Sequence, residues 1–196
     1  MGESEGQDGS YDAAYWDNPN LTFPSQILPT FNQFNDAFPK KNGKYMPASE
    51  VYQLVGGQLY ANHLANPTAY GNACAIRVSR ALNYSGVIIP QISGKTEKGS
   101  DNKNYFKNAK DLHSWMKKTF GTPTNSNHLT GTQGGKNGEN FPALLSGKKG
   151  IYIMIANYPA LFATGHADII NDTDCPGNCW FNPPGGVYTI DIWELN

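Results

Sequence analysis

A chain of 196 residues is most simply one domain, and 39% hydrophobic and 12% aromatic residues suffice for a packed core, which excludes wholesale disorder. Charged residues make up only 16% and the formal net charge is −1, so the basic footprint of a nucleic-acid or anionic-membrane binder is absent. No apolar run approaches the ~20 residues of a membrane-spanning helix, and no membrane insertion is expected.

Residues 1–20 read as a polar, flexible arm and residues 21–196 as a single domain. The opening MGESEGQDGSYDAAYW lacks the basic and apolar regions of a secretory signal, so export is expected to rely on something other than this segment. Phe31, Phe34 and Phe38 recur at helical spacing and predict a short amphipathic helix closed by Pro39. KKNGKYM reads as a linker. SEVYQLVGGQLYANHLA predicts a helical region broken at Gly56-Gly57.

Asn72 is a good N-cap, and Ala75, Val78, Ala81 and Leu82 follow a helical period, which predicts a helix from residue 73. VIIPQI reads as a short strand or an extended link. YFKNAKDLHSWMKKTF predicts a strong helix with Phe106, Ala109, Leu112, Trp115, Met116 and Phe120 on one side, and Lys117 and Lys118 at the negative end of its dipole. Residues 121–142 read as a long Gly/Asn/Thr-rich loop. GIYIMIAN, GHADIIN and VYTIDIWEL predict three strands, the last two alternating as half-buried antiparallel strands do. Helices first and strands last give an α+β fold.

Three cysteines suggest one local pair, Cys175 and Cys179, and one free thiol, Cys74. In the first turn of a helix, Cys74 meets unpaired N–H groups and the positive dipole end, which favour a thiolate and can serve an oxyanion. The plain alternative is a small buried hydrophobe. His166 opens a strand on which it shares a face with Asp168. A cysteine before a helix and a histidine on a later strand form the papain-like arrangement, in which the imidazole deprotonates the thiol. His63, His113 and His128 read as surface or boundary residues. Asp168, Asp172, Asp174 and Asn178 all compete for the residue that orients the imidazole. A zinc site from His166, Cys175, Cys179 and an Asp has an uncommon Cys-x₃-Cys spacing and no second pair, and Gly134-Gly135-Lys136 lacks the strand–loop–helix context of a phosphate loop.

The blocks NACAIRVSRALN, preceded by YQLVGG, and TGHADIIN, followed by a close cysteine pair and a terminal IWEL strand, resemble the fourth family of type VI secretion amidase effectors over residues 28–196. The resemblance implies a papain-like, NlpC-type fold with the nucleophile helix packed on an antiparallel sheet. It implies hydrolysis of the γ-D-glutamyl–meso-diaminopimelate amide of bacterial peptidoglycan stem peptides, with neither metal nor organic cofactor. Partners so implied are the type VI apparatus, which delivers the protein to the periplasm of a target bacterium, and a cognate immunity protein. Cys74 takes the nucleophile's place and His166 the base's. The family's acid lies at or near the paired-cysteine loop, which here reads Cys175-Pro176-Gly177-Asn178-Cys179 without an Asp, so Asp174, Asp168 and Asn178 stay open. Rival readings are a thiol hydrolase cutting another wall amide and a non-enzymatic wall- or glycan-binding module. The loop 121–142 and Trp180-Phe181 are candidate groove walls, and Arg77 a candidate carboxylate holder or structural cation.

Overall fold

Helices dominate the regular structure before residue 121 and a sheet closes the chain, in the order the periodicities predict. The computed structural model describes residues 11–157 and 165–196. Helix α1 (Ala13–Asp17) leads to α2 (Phe31–Ala37), held at its start by a Thr30–Gln33 capping box. Strands β1 (Lys40–Lys41) and β2 (Lys44–Tyr45) then form a hairpin where a linker was expected. Asn42 and Gly43 turn it at φ 54° and 75°, the left-handed pair that a two-residue hairpin needs.

Helices α3 (Ala48–Val55) and α4 (Gly57–Ala65) are separated at the glycine pair, as expected. Helix α5 (Cys74–Tyr84) follows, and VIIPQI is an extended link that buries Val87, Ile89 and Ile92. A hairpin of β3 (Thr96–Lys98) and β4 (Asn104–Phe106) precedes α6 (Ala109–Phe120). Phe106 therefore belongs to a strand rather than to the helix. Asn108 starts α6 later than expected, because its side chain accepts the Asp111 N–H at 2.8 Å. The 121–142 segment is not one long loop. It contains β5 (His128–Thr130) and α7 (Gly131–Gly134), and it runs into α8 (Phe141–Leu145).

The three expected strands are β6 (Lys149–Ala156), β7 (Gly165–Asn171) and β8 (Val187–Glu194). With β5 they form an antiparallel sheet in the order β5-β8-β6-β7, which leaves β7 at one edge. The sheet is covered on both faces, not half-buried. Ile151, Ile153, Ala167, Ile169 and Trp193 pack with α5 and α6, including Val78, Leu112 and Trp115. On the other face Tyr152, Met154, Ile170, Ile190 and Ile192 pack with Phe141, Leu145, Cys175 and Cys179. Polar residues that alternate along β7 and β8 are therefore inside the protein, where each needs a partner.

Of the segment expected as an arm, 1–20, the structure describes residues 11–20. Residues 1–10 lie outside the described residues, but Trp16 of α1 is only 3% exposed and its Nε1–H donates to the buried Asp111 Oδ1 at 2.6 Å. An indole that can bury its ring and satisfy its one donor has reason to dock.

Candidate active site

Local chain chemistry places Cys74 first. Asn72 Oδ1 accepts the Cys74 N–H at 2.9 Å in an Asx turn that leads into the helix, but the N-cap is Ala73 rather than the expected Asn72, and the helix begins at 74. Tyr52 Oη donates to the Asn72 carbonyl at 3.0 Å and holds this turn against α3. Cys74 is 2% exposed and is the free cysteine, while Cys175 and Cys179 are joined in a disulfide. The Cys74 N–H expected to serve an oxyanion is thus occupied by Asn72.

Strand β7 brings His166 and Asp168 to the same place on the same sheet face, and both are buried. Their register is set by Met154 and Tyr152 of β6. His166 has the Cys74 side chain close enough to act on its ionisation. Its Nε2 lies 3.0 Å from Tyr45 Oη and 3.5 Å from Asp168 Oδ2. Tyr45 Oη also donates to Asp168 Oδ2 at 2.8 Å. Two backbone groups complete the carboxylate's surroundings, with the Ile169 N–H donating to Oδ1 at 2.8 Å and the Gly177 N–H to Oδ2 at 3.3 Å.

Burial would lower the pKa of His166. Asp168 and Cys74 beside the ring favour its charged form, override that effect and push the pKa up to about 9. Tyr45 moves the same way for other reasons: burial and the Asp168 charge hold its hydroxyl well above the usual range, against the Arg77 guanidinium. Tyr45 therefore stays a protonated donor at neutral pH.

Sequence reasoning missed Tyr45 and Gly177. Asn42-Gly43 announces the hairpin that carries Tyr45, but not where that hairpin docks. The disulfide-closed loop lies on the tyrosine so closely that a Cβ at Gly177 would fall 1.6 Å from its ring. Tyr152 Oη ties the same loop to the sheet by donating to the Cys179 carbonyl at 2.6 Å.

Other nominated residues lie elsewhere. Asp174 is exposed and pairs through its backbone with Asn171. Asp172 Oδ1 accepts the Gly147 N–H at 2.5 Å, and Asn178 Oδ1 the Trp180 N–H at 2.9 Å. Arg77 donates to the Met46 carbonyl from Nε and Nη2 at 3.2 and 2.9 Å and lies 4.0 Å from the centre of the Tyr45 ring. Thr164, beside the site in sequence, lies outside the described residues. The disulfide removes both cysteines from the zinc set.

The remaining histidines are more constrained than a surface reading allows. Asp191 of β8 is buried and bonds His113 Nε2 and His128 Nδ1, each at 2.6 Å. Burial pulls the pKa of His113 down against the pull of Asp191. His63 Nδ1–H donates to the Tyr70 carbonyl at 2.8 Å. A cleft of about 1060 Å³ opens at the His128 side of the sheet, with Phe141, Phe181 and His113 in its wall and no member of the Cys74 cluster. Phe181 and part of the 121–142 segment do form groove walls, but of that cleft.

The structure is an α+β protein that brings together a thiol at a helix N-terminus, an imidazole on the adjoining edge strand and a buried carboxylate, an arrangement whose chemistry is compatible with acyl transfer. Among curated proteins, none matches the chain. Residues 70–193, more than half of the chain, match the family described as type VI secretion system (T6SS), amidase effector protein 4, and the chain belongs to that family. Solved structures agree over nearly the whole fold. The type VI effector Tae4 from Enterobacter cloacae is 28% identical, with 88% of this chain and 99% of that one covered and a TM-score of 0.70. Tae4 in the Tae4–Tai4 effector–immunity complex from the same organism is 29% identical over 87% and 100% of the chains, with a TM-score of 0.70. Its counterpart from Salmonella Typhimurium is 25% identical over 87% and 100%, with a TM-score of 0.68.

Proposed function

We propose that this type VI amidase effector is a cysteine hydrolase that cleaves the γ-D-glutamyl–meso-diaminopimelate amide of peptidoglycan stem peptides in the periplasm of a target bacterium. The observation that supports it best is the buried Cys74–His166–Asp168 cluster. With Nε2 facing Tyr45 and Asp168, Nδ1 is the His166 nitrogen left to exchange a proton with Cys74. The thiolate attacks the amide carbonyl carbon, and N–H groups at the start of α5 stabilise the oxyanion once Asn72 yields the Cys74 N–H. Protonated His166 gives its proton to the departing diaminopimelate amine, leaving a thioester on Cys74. Water, deprotonated by His166, then attacks the thioester, and the γ-D-glutamyl acid and the thiol are released. Asp168 is the acid of this reading in preference to Asp174. By analogy with the Tae4–Tai4 complexes, a cognate immunity protein in the producing cell binds this chain and blocks it.

Digestion of purified diaminopimelate-containing muropeptides, read by mass spectrometry, tests the bond and the nucleophile together. Wild type is expected to release fragments split between D-Glu and diaminopimelate, and Cys74→Ala none. Cleavage at another bond would move the substrate assignment, and equal activity or toxicity of the two proteins would remove Cys74 from the chemistry.

The same assay carries a pH dependence. His166 holds its proton below about 9 and loses it above. The imidazolium that must protonate the leaving amine is then lost, so kcat/KM is expected to fall on the alkaline side with an apparent pKa near 9. A profile still rising at pH 10 would contradict this assignment.

A further inference from the structure

We infer that Tyr45 is a positioning residue of the reaction, its hydroxyl linking His166 to Asp168 and fixing the orientation of the imidazole. The inference rests on the thiol-hydrolase reading above and adds to it a residue outside the three nominated groups.

The proton count decides the direction of the link. Tyr45 has one hydroxyl proton, and it points to Asp168 Oδ2 at 2.8 Å. The Tyr45 oxygen, 3.0 Å from His166 Nε2, is then an acceptor, so Nε2 must carry the proton it offers. Asp168 itself stands 3.5 Å from Nε2, beyond a good hydrogen bond, because both side chains project from one short stretch of β7. The hydroxyl spans that gap, passing the pull of the carboxylate to Nε2 and leaving Nδ1 directed to Cys74.

The tyrosine is held as a rigid part. The Arg77 guanidinium stacks on one side of its ring at 4.0 Å and is itself fixed to the Met46 carbonyl, the residue following Tyr45. The disulfide-closed loop crowds the ring at Gly177, where no side chain would fit, and sends the Gly177 N–H to the same Asp168 oxygen. Phe38 of the turn after α2 stacks at 6.3 Å between ring centres. Tyr45 is half-buried against the core, and both partners of its oxygen are members of the candidate site. The ionisable groups acting on the imidazole are Cys74 from α5, Asp168 from β7 and Tyr45 from β2, with Arg77 acting on the tyrosine.

The test is Tyr45→Phe, which keeps the stacked ring and removes only the oxygen. The His166 imidazole would be titrated by NMR in the full-length protein, beside muropeptide kinetics and thermal unfolding, with Cys74→Ala as reference. A positioning role predicts kcat lowered by at least about tenfold with KM within about twofold, since only the proton-transfer step is touched. It also predicts that the His166 titration moves down by a unit or more. Unchanged kcat and an unchanged His166 titration in a folded variant would overturn it. Loss of activity that tracks unfolding, with the folded fraction titrating as wild type, would also overturn it by showing a structural role alone. An active Cys74→Ala would instead overturn the hydrolase reading, which separates the two failures.

Discussion

Asp168→Asn is expected to lower kcat/KM by about 10²–10⁴-fold, whereas Asp174→Asn is expected to leave it within about twofold. Both residues follow His166 closely, and the chain alone gives no reason to choose between them. Asp168 is fully buried, receives the Tyr45 hydroxyl and two backbone N–H groups, and carries the negative charge that keeps the imidazole protonated. Asn at 168 keeps the shape and removes that charge, so the alkaline limb near 9 is also expected to move to lower pH. Asp174 is exposed and its backbone pairs with Asn171, out of the His166 contacts. Steady-state kinetics on both variants, with thermal unfolding as a control, give the answer. A dead Asp174→Asn beside an active Asp168→Asn would reverse the assignment.

Trp16→Ala is expected to cost about 3–5 kcal/mol of unfolding free energy, read by urea denaturation. The ring lies among Tyr15, Phe23 and the α6 face, and its Nε1–H is bonded to the fully buried Asp111. Truncation leaves a cavity and takes a charge-assisted hydrogen bond from Asp111, which has few ways to regain solvation. A residue of a flexible arm would change stability by less than about 0.5 kcal/mol. The measurement thus decides whether the domain begins near residue 21 or before residue 16.

Periodicity carried most of the architecture. Phe31/Phe34/Phe38, the run from Cys74 to Tyr84 and the three C-terminal strands were all legible, because a 3.6- or 2-residue repeat has few ways to bury its apolar side. Boundaries failed where a single polar side chain decided them. Asn108 stops β4 short of α6, and Asn42-Gly43 makes a hairpin of a segment that reads as a linker. Alternation in GHADIIN and VYTIDIWEL looked like one wet face and one dry. What it recorded instead was two internal polar clusters, His166–Asp168 and Asp191 with its two histidines.

Taken alone, the sequence determined the α+β order, the position of Cys74 in the first turn of a helix, the shared strand face of His166 and Asp168, and the local cysteine pair, since each depends on neighbours within a few residues. Only the tertiary structure decided which carboxylate lies beside His166, that the Tyr45 hydroxyl contacts both, and that Trp16 belongs to the core. Those contacts join residues up to 123 positions apart, from Tyr45 to Asp168. Nothing in the local spacing of a chain encodes which hairpin docks on which strand; packing of the whole core does.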